Sequence, residues 1–323
     1  MSRNTKRELL RILEASRGES ISGEELAGRL GISRAGVWKQ IKALREAGYV
    51  IAAVQNRGYC LAQDNDKLSR EGMLPFLEDP EAAEKILVFD VLDSTNTEAK
   101  RRAVDGAPDG TVILADRQTA GRGRLGRSFF SPAESGVYFT MLLRPEIPME
   151  QAVLATTAAS VAASRAVEKV TGRQPQIKWV NDLYLDGKKI CGILTEAVSD
   201  FETGAVEAVV VGIGINCNTV FPEELQEKAG SVLQGSGGAV RNRLAAELVN
   251  QVSGLEQMIR QRTFLEEYRS RSMVIGKEIT VLQEPGSRYF AEGIGQSGEL
   301  ILRDEAGNEK ILSTGEVSIR LTE

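Results

Sequence analysis

Histidine is absent from the 323-residue chain, and its absence removes several classes of reaction. Catalysis by a Ser-His-Asp triad, zinc sites of the HExxH type and acid–base schemes that use imidazole all require this residue. A cysteine nucleophile would also need a histidine beside it. Any chemistry must therefore rest on Lys, Arg, Asp, Glu, Ser or Thr side chains, or on a bound metal ion.

Cysteine is scarce as well, since the chain has only Cys60, Cys191 and Cys217, which lie far apart. An odd and widely spaced set is typical of reduced cytosolic thiols rather than of a disulfide framework. No apolar run approaches the roughly 20 residues of a membrane span, and Met1–Asn4 lacks the apolar region of a signal peptide. We therefore expect a cytoplasmic protein that has no membrane partner.

Glycine and arginine, in contrast, are concentrated in the segment Gly121–Arg127, between apolar segments at 111–115 and 137–143. Glycine lets backbone N–H groups approach a ligand, and arginine adds forked cationic donors for phosphate or carboxylate oxygens. Without a ligand we expect this loop to be mobile, because it has little apolar surface to bury. The alternative interpretation is an Arg/Gly-rich surface loop that binds nothing.

Two common nucleotide-binding motifs are missing. The segment Gly212–Asn216 does not satisfy GxGxxG, and no GxxxxGK[ST] sequence occurs. Neither a Rossmann site nor a P-loop is therefore supported.

Charge divides the chain into a basic head and an acidic remainder. Residues 1–60 carry 11 Lys/Arg and 6 Asp/Glu, a net of +5, whereas the remainder carries 29 and 39, a net of −10. This asymmetry indicates an N-terminal module that binds a polyanion. The length also predicts two or three domains.

The head has the pattern of a helix-turn-helix. Apolar spacing predicts a first helix over 7–15. Ser22 and Glu25 form a capping-box pattern that opens a second helix, and Gly31 ends it. A third helix follows after a short turn, which completes the unit.

The third helix is predicted to enter a major groove of DNA. Its apolar residues share one face, and its small and basic residues share the other. Segments 49–54 and 59–61 predict a β-hairpin wing. The candidate DNA-binding residues are Ser33, Arg34, Ala35, Lys39, Lys42, Arg45 and Arg57. A three-helix interaction module with a solvated basic face is the alternative, and we expect Trp38 to be partly buried packing.

The rest of the chain predicts two further domains. A polar linker covers 62–67, and a short helix starts at Ser69. Strands are then expected at 86–92, 111–115 and 137–143, followed by an Ala-rich helix at 152–170. A hairpin turn at Asp186-Gly187 precedes strands at 189–197 and 208–215, and two helices are expected over about 239–271. Short strands at 278–282, 289–294, 299–302, 309–312 and 317–321 predict a small β-barrel of SH3-like size.

Two further features accompany the Gly121–Arg127 loop. Thr95 and Glu98 form a capping-box pattern, which places the polar segment Asp93–Asn96 at a helix N-terminus. The alternative is that these residues only cap the helix. Lys178 and Lys189 are expected on neighbouring strands, where two cations would face one site.

Taken together, these segments resemble the family of bifunctional biotin protein ligases and biotin operon repressors, in the long form that carries a winged-helix head. The matching stretches are Asp93–Asn96, Gly121–Arg127, Lys178–Leu183, Lys189–Leu194, Gly212–Asn216, the helices over 22–48 and the C-terminal Gly315–Ser318. The resemblance covers nearly the whole chain. Val180 stands where the family usually has proline, a residue that shapes backbone rather than chemistry.

The resemblance implies a fold and a set of partners. The fold would be α+β and multidomain, with a winged helix over 1–64, a mixed α/β ligase domain over 65–272 and an SH3-like barrel over 273–323. The substrates would be biotin and ATP, with Mg²⁺, and the acceptor would be a lysine of a biotin carboxyl carrier protein domain. The chain would also bind operator DNA as a repressor and form a homodimer when it holds the adenylate.

Site residues follow from the resemblance by matching position. It implies a biotin pocket formed by Ser94, Thr95, Asn96, Gln118, Arg122, Gly123, Arg124 and Lys189. It implies a nucleotide and adenylate side formed by Gly121, Arg127, Asn181, Asp182 and Asn216. The groups expected to act in the reaction are Lys189, Arg122, Arg124, Lys178 and Asp182.

A histidine-free site suits this chemistry. In the first step the nucleophile is a carboxylate that is already ionised at pH 7, so no general base is required. The site must hold two anions together and stabilise charge on the α-phosphate, which Lys, Arg, backbone N–H groups and Mg²⁺ can do. In the second step the carrier lysine must lose a proton, and Asp182 is the expected acceptor.

Two alternative functions remain open. A lipoate–protein ligase relative would share the catalytic architecture but should lack the winged-helix head. A transcription factor that only senses a small molecule would be expected to lose the cations Arg122, Arg124 and Lys189, all of which are present.

Overall fold

The structure is a computed structural model that describes residues 2–144, 152–199, 206–233 and 240–319. The chain begins with the predicted helix-turn-helix and wing. Its elements are α1 (Ser2–Ala15), β1 (Ser20–Ile21), α2 (Gly23–Leu30), α3 (Arg34–Glu46), β2 (Ile51–Val54) and β3 (Gly58–Leu61). The strand order is β1-β3-β2, so the wing has a third strand that the sequence pattern did not predict.

Helix caps set the turn between α2 and α3. The Oγ atom of Ser22 accepts from the Glu25 N–H at 3.0 Å, and Gly31 ends α2 with a φ of 62°. In a full capping box the Glu25 side chain would also accept from the Ser22 N–H. The carboxylate of Glu25 pairs instead with Arg29 at 2.6 Å. Ser33 caps α3 as predicted, through a 3.1 Å bond from the Gly36 N–H.

The head has a hydrophobic core of its own. Val37, Ile41 and Leu44 of α3 are buried in it, together with residues of α1, α2 and the wing. The prediction for Trp38 was wrong, because its side chain is 57% exposed and Lys42 Nζ lies 5.8 Å from its ring. The Trp38 side chain projects from the helix surface that was assigned to DNA, not from the core face.

The predicted linker is a fixed connection. Asn65 is buried, and its Oδ1 atom accepts from the Val50 N–H of the head at 2.9 Å. Asp66 Oδ1 accepts from the Arg241 N–H at 3.0 Å on the other side. Ser69 then caps the short helix α4 (Arg70–Met73). Hydrogen bonds from both sides therefore hold the connection between head and central domain.

A seven-stranded mixed sheet forms the centre of the molecule. Its elements, with two helices, are β4 (Ile86–Leu92), α5 (Thr95–Val104), β5 (Thr111–Gln118), β6 (Gly136–Leu143), α6 (Ala152–Thr171), β7 (Gln176–Lys178), β8 (Asp182–Leu185), β9 (Lys188–Ser199) and β10 (Val206–Asn216). The order is β4-β5-β6-β10-β9-β8-β7; β4 and β5 are parallel, and the other neighbours are antiparallel. The Asp186-Gly187 turn joins β8 and β9 as predicted.

Helices cover the two faces of this sheet. The helices after β10 are α7 (Glu223–Gln226), α8 (Arg241–Ser253), α9 (Leu255–Gln261) and α10 (Leu265–Arg271). Two helices were predicted over about 239–271, but the described part has three, because the chain breaks at Gly254 and at Arg262, whose φ is 55°. Position 239 lies outside the described residues. The buried alanines of α6 let that helix pack close to the main core.

The C-terminal part is a five-stranded antiparallel sheet. Its strands are β11 (Glu278–Val281), β12 (Tyr289–Ile294), β13 (Leu300–Asp304), β14 (Glu309–Leu312) and β15 (Val317–Ile319), in the order β14-β13-β12-β11-β15. Positions 320 and 321 of the predicted last strand lie outside the described residues. Its core residues are continuous with the central core, and Trp179 Nε1 donates to the Gly298 carbonyl at 3.0 Å. No helix in the described ranges has the length and apolarity needed to cross a membrane.

Candidate functional site

A polar cleft lies where the Gly121–Arg127 loop crosses β9 and β10 beside the start of α5. Of the residues that the sequence assigned to a site, this cleft is lined by Ser94, Thr95, Asn96, Gln118, Arg122, Gly123, Arg124, Arg127, Asn181, Asp182 and Lys189. Three separate parts of the sequence therefore meet at one place.

Three assigned residues do not line the cleft. Gly121 faces a second groove on the far side of the loop. Asn216 is buried at the end of β10, where its Nδ2 donates to the Gly230 carbonyl at 3.1 Å. Lys178 lies on β7, next to the cleft rather than in it.

The expected adjacency of Lys178 and Lys189 was wrong. Strand β8 lies between their strands β7 and β9, and Asp182 on β8 is the register partner of Lys178. Asp182 also forms an ion pair of 2.6 Å with Lys189. Burial lowers the pKa of Lys178, although the nearby carboxylates of Asp182 and Glu316 oppose this effect. A carboxylate therefore separates the two cations.

A hydrogen bond ties the start of α5 to the sheet, and the predicted capping box does not form there. Ser94 is the N-cap residue, and Thr95 is the first residue of the helix, so the predicted Thr95–Glu98 box does not form. Glu98 pairs instead with Arg102 at 2.8 Å. The Thr95 N–H donates to Gln118 Oε1 at 2.8 Å, which ties the helix to the end of β5. The Thr95 hydroxyl is thereby placed at the cleft.

A buried polar chain continues from Thr95 under the cleft. Thr140 Oγ1 lies 2.8 Å from Thr95 Oγ1 and 2.7 Å from Asn96 Oδ1. The Nδ2 atom of Asn96 donates to the Leu194 carbonyl at 3.1 Å and to Glu196 Oε2 at 2.9 Å. Because each buried polar atom in this series of hydrogen bonds has a partner, the orientation of the Asn96 amide is fixed.

Glycines of β10 make room for these side chains. A Cβ at Gly212 would lie 2.0 Å from Asn96 Oδ1, and a Cβ at Gly214 would lie 2.5 Å from the Phe129 ring. Both approaches are far inside van der Waals contact. The Gly212-Ile213-Gly214 pattern is therefore explained by close packing beneath the cleft and not by a phosphate loop.

The three arginines of the loop have different surroundings. Arg122 is about half exposed, with its Nη1 4.0 Å from Glu196 Oε1. Arg124 donates to Asn181 Oδ1 at 3.4 Å and to the Gly315 carbonyl at 3.2 Å. Arg127 Nη1 donates to Glu316 Oε1 at 2.6 Å, next to β15, and the two side chains form an ion pair. The C-terminal sheet therefore holds one side of the loop, while Arg122 remains accessible.

Most of the DNA-binding candidates are exposed side chains of the head. Arg34, Ala35, Lys39 and Lys42 are exposed on α3, and Arg57 is exposed at the turn of the wing. Two candidates have structural partners, since the Ser33 hydroxyl caps α3 and Arg45 Nε donates to the Ile51 carbonyl at 2.8 Å.

Sequence reasoning missed four residues at or beside the cleft. They are Phe129, Thr140, Glu196 and Glu316. Thr140 is a polar residue within the largely apolar strand β6, a signal that would have drawn attention to it. Glu316 comes from the C-terminal sheet, and no local pattern connects it to the loop.

Known proteins match this chain both in the head and in the part that holds the cleft. The model of the biotin/lipoate A/B protein ligase family matches residues 88–216, and a helix-turn-helix domain model matches residues 5–60. The bifunctional ligase/repressor BirA of Bacillus subtilis is 34% identical, over 97% of this chain and 98% of that protein. BirA of Escherichia coli is 31% identical, over 95% of each chain.

A solved structure agrees with the fold. The biotin protein ligase of Aquifex aeolicus in complex with biotin and ATP superimposes with a TM-score of 0.63 at 28% identity. It covers 73% of this chain and 99% of that chain.

Proposed function

The chain belongs to the family of bifunctional biotin ligase/repressors, and from that premise we propose that it joins biotin to ATP and passes biotin to a carrier protein. The first step forms biotinyl-5′-AMP and releases pyrophosphate. The second step transfers biotin to a lysine of a biotin carboxyl carrier protein domain. The same chain represses biotin genes through its helix-turn-helix head.

The observation that carries the proposal is the set of cations around one polar cleft. Arg122, Arg124 and Arg127 come from the loop, and Lys189 comes from β9. These groups can bring the carboxylate of biotin and the phosphates of ATP together and stabilise charge that develops on the α-phosphate. Because the attacking carboxylate is already ionised, the absence of histidine does not impede this step.

The second step requires a group that accepts a proton from the carrier lysine. Asp182 and Glu316 are the carboxylates that line the cleft among the described residues. Each pairs with a cation at 2.6 Å, Glu316 with Arg127 and Asp182 with Lys189, the lysine assigned to the reaction. We propose Asp182 as the acceptor, with Lys189 holding it in place.

Mg²⁺ would enter with the nucleotide. The described part of the chain has no group of three or more Cys, Asp or Glu side chains arranged to hold a metal ion. Mg²⁺ at nucleotide sites is usually held by substrate phosphates and by one or two carboxylates. Asp182 can supply such a carboxylate, and the ion would add positive charge at the phosphates.

The head would bind operator DNA as part of a dimer. Its exposed Lys39, Lys42 and Arg57 suit contacts with phosphates and base edges. Two heads on a two-fold axis would match two half-sites. We propose that the homodimer forms when the cleft holds the adenylate.

The domain boundaries are also part of the proposal. A head over 1–64 is supported by its separate core, and the ligase domain would then cover 65–272. The five C-terminal strands over 273–323 would form a small SH3-like barrel. Free Cys60, Cys191 and Cys217 suit a cytoplasmic location.

The direct test of the ligase function is release of pyrophosphate. Purified protein should release pyrophosphate from ATP when biotin and Mg²⁺ are both present and not when either is left out. Lipoate and octanoate serve as competing substrates. Turnover with either acid but not with biotin would refute the substrate assignment.

A further inference from the structure

We propose that Trp38 is a specificity-determining residue of the head, whose indole ring packs against the methyl group of a thymine in the major groove. The inference rests on the proposed function, because it concerns how the head selects the DNA that a repressor must bind. It adds to the candidate DNA contacts a residue that the sequence pattern had assigned to packing.

Trp38 takes no part in the packing of the head. The core face of α3 holds Val37, Ile41 and Leu44, which are almost inaccessible to solvent, whereas the Trp38 side chain is 57% exposed. The other tryptophan, Trp179, is buried, and its Nε1 donates to a carbonyl. Single exposed apolar side chains are common on protein surfaces, so the surroundings of Trp38 must show whether it has a partner.

The surroundings of Trp38 are those of a site for a polyanion. Arg34 and Lys42, four residues before and after it, lie on the same side of α3 and are exposed, as is Lys39. The one carboxylate paired with this row is Glu46, which is exposed and 3.9 Å from Lys42. The head as a whole carries a net charge of +5. Duplex DNA is the polyanion whose groove also presents apolar methyl groups, so it suits both the cations and the ring.

Trp38 lies on the flank of α3 that faces the wing. Arg45, seven residues further along, is on the same side of the helix, and its Nε donates to the Ile51 carbonyl of β2 at 2.8 Å. Gly36, two residues before Trp38, is on the opposite side, where a Cβ would lie 3.3 Å from Ile32 at the turn after α2. The ring is therefore directed away from the contact with α2 and remains open to a groove that receives α3.

Lys42 orients the indole ring before DNA arrives. Its Nζ atom lies 5.8 Å from the ring centroid, within the range of a cation–π contact. A side chain that is already ordered loses less conformational freedom on binding. An apolar side chain in the major groove recognises thymine through its C5 methyl group. Because the indole is uncharged, its contribution should not depend on the release of counterions.

Tryptophan fluorescence gives a direct test in the wild-type protein. Trp38 and Trp179 are the two tryptophans of the chain, and Trp179 is 3% exposed, so the neutral quencher acrylamide mainly reaches Trp38. The DNA is a duplex selected from random sequences by wild type in the presence of biotin, ATP and Mg²⁺. Saturation with this duplex should lower the quenching constant toward that of a buried tryptophan, and a scrambled duplex should lower it less. Unchanged quenching would overturn the inference.

Variants separate the ring from the charges. Trp38→Ala should weaken binding of the selected duplex roughly 10–100-fold, with an unchanged slope of log affinity against log salt. Trp38→Phe keeps an apolar ring and should retain most of the affinity. Phe290→Ala removes an aromatic side chain that is 46% exposed on β12, and this matched control should bind like wild type. An equal loss in both Trp38 variants, or a slope reduced by about 1 in Trp38→Ala, would contradict the methyl contact.

The methyl group itself is tested by placing deoxyuridine at each thymine in turn. For wild type, the substitution should cost about fourfold in affinity at one or more positions of the selected duplex, as expected for one buried methyl group. The same positions should be insensitive in Trp38→Ala, because the two changes remove one contact. A duplex without a sensitive thymine, or one equally sensitive in the variant, would refute the contact.

The outcomes also separate this inference from the proposed function. If wild type enriches no duplex, DNA binding by the head is refuted. If Trp38→Ala binds the selected duplex like wild type, only the role of Trp38 is refuted. Weaker dimerisation of Trp38→Ala without DNA, measured by sedimentation, would assign the ring to a contact between chains and overturn the inference. If that variant fails to fold, the quenching and deoxyuridine experiments on wild type decide.

Discussion

At the scale of single residues, the cleft pairs two of its four cations closely with carboxylates of the protein. Lys189 contacts Asp182 and Arg127 contacts Glu316, each at 2.6 Å. Anionic substrates must compete with these carboxylates for the same donors. Arg122 is half exposed and has only the more distant Glu196 nearby, so it is the cation most available to an incoming anion.

Replacing Lys189 with Met should reduce adenylation through loss of charge. Removal of a charge-assisted contact at a transition state costs on the order of 2–4 kcal/mol, which corresponds to roughly 10²-fold or more in rate. The melting temperature should change little, because a third of the side chain is exposed. Lys188→Met, on the adjacent and exposed position, is the control. A near-normal rate for Lys189→Met would show that Lys189 is only a solvated strand residue.

Asp66 should make stability depend on pH. Burial raises its pKa from 3.8 to about 6, against opposing contacts with Arg241. A raised pKa means that the stabilising contribution is full below about pH 4 and is lost as pH rises through 6. Relative to wild type, Asp66→Asn should therefore gain up to about 2–3 kcal/mol in free energy of unfolding between pH 4 and 7. A parallel pH dependence of the two proteins in denaturant titrations would contradict this assignment.

At the scale of elements, α3 and the Gly121–Arg127 loop both carry surface side chains that are not part of a hydrophobic core. On α3 the buried face holds Val37, Ile41 and Leu44, and the opposite face carries exposed Lys39 and Lys42. This division means that the outward residues can be changed without disturbing the fold. Trp38 extends the outward face and adds an aromatic surface beside Lys42.

Changing Lys39 and Lys42 to Ala should weaken operator binding and leave adenylation unchanged. Each lost phosphate contact should reduce the slope of log affinity against log salt by about 1. Lys277→Ala removes the same charge at an exposed position before β11 and serves as the control. Loss of ligase activity in the α3 variants would mean that the boundary near residue 65 is misplaced.

At the scale of the whole molecule, the head has its own core, whereas the central and C-terminal parts share one. Arg241 is buried between the linker and the central sheet, and its backbone N–H donates to Asp66. It donates to the Gly136 carbonyl at 3.0 Å and pairs with Asp116, two residues before Gln118 of the cleft. The head is therefore fastened to the same strands that carry the site.

Local patterns allowed much of this arrangement to be predicted. Strand β4, the caps at Ser22 and Ser33 and the Asp186-Gly187 turn depend on neighbouring residues, and all were confirmed. The arginine loop and the start of α5 were expected at one site because their motifs occur together. Motif matching cannot show which side chains line a cleft.

The failures share a physical cause, which is contact between distant parts of the chain. The order of the strands placed β8 between Lys178 and Lys189, and strand order is not encoded locally. Glu196 and Glu316 reach the site area only through packing of β9 and of the C-terminal sheet. Thr95 matched a capping box, but tertiary contacts with Gln118 and Thr140 determined its bonds instead.

The two proposed activities should be linked through the adenylate. A loop that closes over the adenylate loses conformational freedom, and if the same surface joins two chains, the adenylate lowers the cost of dimerisation. Two linked heads then bind two half-sites with greater combined affinity. Carrier protein that lacks biotin would discharge the adenylate and reverse the effect.

The most direct measurement is operator binding against protein concentration at fixed salt, under three conditions. These are biotin alone, biotin with ATP and Mg²⁺, and the same mixture with excess carrier that lacks biotin. We predict that the midpoint moves to lower protein concentration when ATP is added and returns when the carrier is added. Identical curves in all three conditions would contradict the account and leave an enzyme joined to an unregulated DNA-binding domain.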